Sequence, residues 1–132
     1  MSGRFAVDTN AVVDYLRESR PVPPALLTAS EILLPLTVLG ELFAGAYASE
    51  RAAENLDVIA RLAAMWQVLV PDSETARIYG SIRAGDRRRR TTITEPARND
   101  FWIAAVCLQH NVALLSNDKT FDEIEGLQVM HW

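Results

Sequence analysis

The sequence predicts an α/β fold, a three-layer sandwich in which a parallel sheet lies between layers of helices. Three observations carry this. Short apolar runs of strand length alternate with longer segments whose apolar residues recur at helical spacing, as in strand–helix–strand units. Two of those runs end abruptly in an acid, Asp8 and Asp118, and in open α/β sheets the C-terminal strand ends line the crevice where ligands sit. No repeat, low-complexity tract or change of composition divides the 132 residues, so residues 1–132 read as one domain with length enough for a substantial core.

The elements follow in order. Arg4–Val7 reads as the first strand, and its end delivers Asp8. A helix over 10–18 starts at Thr9 or Asn10 and carries Val12, Val13 and Leu16 on its apolar side. Asp, Thr and Asn are all common N-caps, so capping alone would explain Asp8 unless other acids arrive beside it. Pro23 or Pro24 opens a second short helix running through Ser30, and Ile32-Leu33-Leu34 forms a buried strand closed by Pro35. Over 36–48, Val38, Leu42, Gly45 and Ser49 share one helical face, with Glu41 at its edge and Gly45 leaving space above it.

A helix over 50–65 carries the stripe Leu56, Ile59, Leu62 and Ala63. Val68–Pro71 is the third strand. Asp72 or Ser73 caps the next helix, which runs to about Arg83–Asp86 with Ala76, Tyr79 and Ile82 as its packing face. The basic run Arg87-Arg88-Arg89-Arg90 and Thr91–Pro96 then read as a connection. Such a run is either solvated or a phosphate contact, since Arg pairs with phosphate through two parallel hydrogen bonds. Asn99 suits the N-cap of a helix over 100–110 that is apolar nearly all round, with Asp100 in its first turn. Val112–Leu115 is the fourth strand and ends in Ser116-Asn117-Asp118. A short turn or helix at 119–124 turns Phe121 and Ile124 inward, and Leu127–Met130 is the last strand.

Composition narrows the function. Apolar residues make up 49% and charged residues 23%, ordinary for a soluble globular chain. A net charge of −4 gives no general drive toward nucleic acid, so a contact of that kind needs a local basic patch. The single cysteine, Cys107, excludes an intrachain disulfide, and its apolar surroundings read as a buried, inert thiol. Without a signal-peptide pattern or a run of membrane-spanning length, the expected location is the cytoplasm.

Asp8, Glu41, Asp100 and Asp118 can all converge on one edge of the sheet. Four carboxylates in one cleft repel one another enough to protonate some of them. A hard divalent cation relieves that, and Mg²⁺ prefers carboxylates, water and phosphate oxygens. The chemistry such a site offers is phosphoryl transfer, with a metal-activated water as nucleophile and a second ion, roughly 4 Å away, as an option for the leaving oxygen. His110 and His131 stand isolated in the sequence, which argues against zinc. Glycine-rich phosphate loops and a serine nucleophile motif are absent.

The set Val7-Asp8-Thr9-Asn10, Gly40-Glu41-Leu42, Asn99-Asp100-Phe101-Trp102-Ile103-Ala104-Ala105 and Leu115-Ser116-Asn117-Asp118 resembles the PIN-domain nucleases in order and spacing, including the closing Phe121, Ile124 and Leu127. The compact form resembles the VapC-type toxins of bacterial toxin–antitoxin pairs. The resemblance implies a five-stranded parallel sheet of order 3-2-1-4-5 and RNA cleavage dependent on Mg²⁺ or Mn²⁺. It implies Asp8, Glu41, Asp100 and Asp118 as the catalytic, metal-holding acids, with Thr9, Asn10 and Ser116 in supporting positions. Arg87, Arg88, Arg89 and Arg90 are candidates for RNA contact, in the place of a glycine-containing turn common in the family. The expected partners are RNA, an antitoxin protein laid across the helices around 10–30 and 36–65, and a second copy of the chain. The same acids would also serve a housekeeping RNA-processing nuclease, and the fold alone would serve a catalytically silent binding module. A phosphoacceptor signalling domain fails on its acid pattern, and a haloacid-dehalogenase-type phosphatase fails at Asn10, where it requires a second Asp.

Overall fold

A computed structural model of the chain describes residues 3–17, 21–89 and 97–132, apart from the side chains at 87–89 and 97–98. The elements, in order, are β1 (Arg4–Val7), α1 (Thr9–Leu16), α2 (Pro24–Leu27), β2 (Glu31–Pro35), α3 (Leu36–Ala48), α4 (Ala52–Met65), β3 (Gln67–Leu69), α5 (Ser73–Arg89), α6 (Ala97–His110), β4 (Ala113–Leu115), a 3₁₀ turn (Lys119–Glu123) and β5 (Val129–Met130). Among the described residues the strands form one parallel sheet of order β3-β2-β1-β4-β5. Crossovers between parallel strands are right-handed almost without exception, so this strand order sets the helices between β1 and β3 on one face and α5 and α6 on the other, giving three layers.

The central strands are apolar on both faces, as a doubly covered parallel sheet requires. Ala6 and Val7 of β1, Leu33 and Leu34 of β2, and Leu114 and Leu115 of β4 are all buried. Helix α6 packs Ile103, Ala104, Val106 and Cys107 into the same core. Each fully buried Val, Leu or Ile side chain contributes about 1.5–3 kcal/mol, so this one helix anchors Asp100 firmly at its first turn. Helix α6 ends in a Schellman turn: Asn111 takes a left-handed φ of 53°, its N–H reaches the Leu108 carbonyl at 3.2 Å, and the Val112 N–H reaches the Cys107 carbonyl at 3.1 Å. The chain then enters β4 directly. Tyr79 of α5 stacks on Trp102 of α6, with centroids 4.1 Å apart.

Several boundaries differ from expectation for physical reasons. Helix α2 stops at Leu27 instead of reaching Ser30, because the Ser30 and Glu31 N–H groups are both taken by the Gly3 carbonyl, at 2.9 and 3.1 Å. Gly3 itself has φ +75°, and a Cβ there would lie 2.9 Å from the Ser30 nitrogen, so this junction requires glycine. Strand β3 spans Gln67–Leu69 rather than Val68–Pro71; Leu33 pairs with Gln67, and Val70 lies beyond the strand, exposed. Helix α5 runs through Arg89, past the expected end at Arg83–Asp86, because arginine is a good helix former and nothing in Arg87-Arg88-Arg89 breaks the backbone ladder. Its buried N-terminal residue is Thr75; Ala76, expected to pack, is exposed. Helix α6 starts at Ala97, so Asn99 lies inside the first turn instead of capping it.

Candidate active site

Sheet order reverses between β1 and β4: β2 and β3 lie on one side of β1, β4 and β5 on the other. Ligands of open α/β sheets bind at such a switch point, beyond the C-terminal strand ends. The register pairs Val7 with Leu115, so the next residues, Asp8 and Ser116, emerge side by side.

Asp8 is 6% exposed and caps α1. Its Oδ1 accepts the Thr9 N–H at 2.8 Å; its Oδ2 accepts the Ser116 hydroxyl at 2.6 Å and the Asn10 amide at 3.2 Å. Burial pushes its carboxyl above the ordinary range, and the Asp118 charge adds to this, while the hydrogen bonds from Ser116, Thr9 and Asn10 pull the other way. Glu41 is tied to α1 by the Thr9 hydroxyl, which donates to Oε1 at 2.9 Å. Its carboxyl is also raised, first by burial, against the Thr9 bond, with a contribution from the Asp8 charge. Asp100 is pushed up to about 7, by burial first and then by the charges of Asp118, Asp8 and Glu41. Asp118 caps the 3₁₀ turn, its Oδ1 accepting the Thr120 N–H at 3.0 Å and hydroxyl at 2.6 Å. Its own N–H donates to the Ser116 hydroxyl oxygen at 3.0 Å, so Ser116 links the two strand-end acids.

Asp100 therefore lies within electrostatic reach of the other three predicted acids, and Thr9, Asn10 and Ser116 each hydrogen-bond to at least one of the four. Asp8 is a helix cap and a member of the acidic group at once. The donors present are hard oxygens. Among the described residues no three side chains of His, Cys, Asp and Glu gather into a ready cage. Hard divalent cations bind through carboxylates together with water and substrate phosphate oxygens. Cys107 is buried and its thiol is pushed up to about 12 by burial, with a smaller part from Asp8, in keeping with an inert thiol. Of the basic run, Arg90 lies outside the described residues, as do the side chains of Arg87, Arg88 and Arg89.

Sequence reasoning missed the second ring of contacts. His131, taken as isolated, places Nδ1 2.6 Å from the Ser116 carbonyl oxygen and Nε2 3.0 Å from Asp122 Oδ1. The Asn117 side-chain oxygen accepts the Trp132 N–H at 3.0 Å, and the Trp132 indole donates to Asp14 of α1 at 3.2 Å. The available signal was register: with Leu115 level with Met130, the next residues, Ser116 and His131, leave their strands together.

A groove of about 580 Å³ runs between α1, α3 and α4, lined by Val13, Leu42, Ala46 and Ile59 and also by Thr9 and Glu41. Gly45 lies along it, and a Cβ there would have no neighbour within 4 Å, so the space expected above Glu41 exists.

The PIN domain family model matches residues 5–127, nearly the whole chain. The chain belongs to the PIN domain family. A search of curated protein sequences finds no match. Among solved structures, DNA-bound VapBC from Salmonella typhimurium is similar with a TM-score of 0.83 at 25% identity, and VapBC-1 from nontypeable Haemophilus influenzae with 0.83 at 24%; each covers 98% of both chains. VapBC-5 from Mycobacterium tuberculosis, a member of the VapBC family of toxin–antitoxin systems, is similar with 0.71 at 22%, over 98% of this chain and 97% of that one. This is likeness of fold from end to end, and it accords with the strand order expected of a PIN domain. PIN domains are in general divalent-metal-dependent, and the hard-oxygen donor set here accords with that.

Proposed function

We infer that this PIN domain is the toxin of a toxin–antitoxin pair and an endoribonuclease that works with Mg²⁺ or Mn²⁺. The observation that carries the reading is the acidic group at the switch point: four carboxylates from β1, α3, α6 and the end of β4, three of them with raised pKa, around a donor set of oxygens alone. Asp8, Glu41, Asp100 and Asp118 would hold the cation. When bound, it supplies an activated water and neutralises charge on the phosphodiester. The chain's own residues do the rest. Ser116, Thr9 and Asn10 fix the Asp8 carboxylate with three hydrogen bonds, so it cannot turn away when charge is brought in. Thr9 holds Glu41 at the mouth of the site, where α1 meets α3. Arg87–Arg90 is the basic run suited to the RNA backbone.

The VapBC neighbours favour a toxin over a housekeeping nuclease, and the groove beside Glu41 supports an antitoxin as its occupant. An apolar segment laid along Val13, Leu42 and Ile59 would bring a basic side chain to Glu41. A homodimer completes the proposed assembly.

The test is cleavage of single-stranded or looped RNA by the purified chain. Expected are products with Mg²⁺ or Mn²⁺, none in excess chelator, and none from Asp8→Asn. Co-expression with the product of the small neighbouring gene should give one co-eluting complex and restore growth. Metal-independent cleavage would refute the metal reading, and separate elution with no rescue would refute the toxin reading.

A further inference from the structure

The segment after β5 reaches the acidic edge through hydrogen bonds from His131 and Trp132. Ser116 is the link between Asp8 and Asp118: its hydroxyl donates to Asp8 Oδ2 and accepts from the Asp118 N–H. Its orientation depends on what holds its backbone. The Ser116 N–H donates to the Met130 carbonyl at 2.9 Å, and the Ser116 carbonyl faces His131 Nδ1 at 2.6 Å. A carbonyl only accepts, so Nδ1 carries the proton in this contact. On the far side of the ring, Nε2 meets Asp122 of the 3₁₀ turn, the turn capped by Asp118. One imidazole thus spans the residue that binds Asp8 and the turn that carries Asp118.

Trp132 extends the brace to α1. Its N–H donates to Asn117 Oδ1, and its indole N–H donates to Asp14 Oδ2. The Asn117 N–H in turn approaches Asn10 Oδ1 at 3.4 Å, and Asn10 donates to Asp8. The loop Ser116–Asp118 is therefore gripped from two sides, by α1 through Asn10 and by the residues after β5 through His131 and Trp132. Trp132 is half-buried and packs against the core, whereas His131 is 43% exposed at the side chain, so the His131 contacts act on the loop more than on packing.

We propose that His131 and Trp132 are positioning residues of the acidic site, setting through Ser116 and Asn117 the separation of Asp8 and Asp118 that a divalent cation meets. The assignment rests on the metal reading of those acids given above. Hydrogen-bond partners behind metal-holding carboxylates typically change affinity or activity by 10–100-fold when removed, without being ligands themselves.

The experiment uses the full chain and Mn²⁺ alone as probe, followed by direct titration, with RNA cleavage kinetics and melting in chelator alongside. His131→Leu removes both ring contacts. It should weaken Mn²⁺ binding about tenfold or more and lower kcat at an unchanged KM for RNA. His131→Asn places an amide N–H near the position of Nδ1 and should restore both, whereas His131→Gln, reaching toward Asp122 instead, should not. Trp132→Phe keeps the ring and loses the donor to Asp14, and should fall between. Wild-type Mn²⁺ affinity and kcat in His131→Leu would overturn the proposal. So would losses that follow the melting temperature and are not rescued by Asn. Failure of the wild type itself to bind Mn²⁺ would instead bring down the metal reading, and this proposal with it.

Discussion

The Asp100 carboxyl, pushed up to about 7, keeps its proton to a higher pH than it would in the unfolded chain, where it is fully ionised at neutral pH. The folded state therefore holds a proton that the unfolded state has released. In the window from the ordinary value of 3.8 up to about 7, stability falls as pH rises, and the protection is gone above the folded pKa. The raised carboxyls of Asp8 and Glu41 act in the same direction. Asp100→Asn removes the titrating group and its repulsion of the other three. In chelator it should melt above wild type at about pH 8, with the gap closing toward about pH 5. A gap that does not change with pH would mean that folding does not raise this carboxyl. Added Mg²⁺ should then stabilise wild type more than the variant, since the variant has one fewer acid to offer. That Asp8, Asp100 and Asp118 share one edge was legible in the sequence because they stand at strand ends and a helix start, and Glu41 because it lies at the edge of the apolar face of the helix over 36–48. His131 and Trp132 were not, because their contacts depend on β4–β5 register, which apolar patterning in a two-residue strand does not set.

Between elements, the bond from Thr9 of α1 to Glu41 of α3 is the direct tie across the mouth of the site. Thr9→Val keeps the β-branched shape and removes the donor. A net loss of about 0.5–1.5 kcal/mol is expected in chemical denaturation at acidic to neutral pH. Because the Thr9 bond favours the ionised Glu41, its loss moves that carboxyl further up, and the acidic limb of the pH–rate profile should shift to higher pH. An unshifted limb would remove Glu41 from the ionisations that matter.

The end of α5 carries a second expectation. Arg87→Ser, Arg88→Ser, Arg89→Ser and Arg90→Ser together should weaken RNA binding across sequences and flatten its salt dependence, as lost phosphate contacts do. An unchanged slope would make the run a solvated helix end. Helix existence was readable from periodicity, and most apolar faces with it, Ala76 of α5 being an exception. The ends were not: a charge run was taken for a break where arginine in fact extends α5, and Asn99 was taken for a cap where Ala97 and Arg98 already favour helix.

For the molecule as a whole, a chain of net charge −4 with Asp8, Glu41, Asp100 and Asp118 at one sheet edge repels the RNA backbone it is proposed to cut. A divalent cation at that edge reverses the local sign, so binding and cleavage of RNA should depend on it together. The strand order was implied in the sequence by the family pattern, and the structure places the switch point between the strands that end in Asp8 and Ser116. The apolar pattern alone gave only the alternation of strand and helix, since topology depends on crossover direction and not on local composition. The most direct measurement is RNA cleavage in ¹⁸O-labelled water with Mg²⁺, followed by mass analysis of both product ends, with Asp8→Asn as control. Attack by water at phosphorus should leave 5′-phosphates carrying the label and 3′-hydroxyls, and the control should give no product. Unlabelled products ending in 2′,3′-cyclic phosphate would mean that the 2′-hydroxyl attacks, and would contradict the assignment of the four acids.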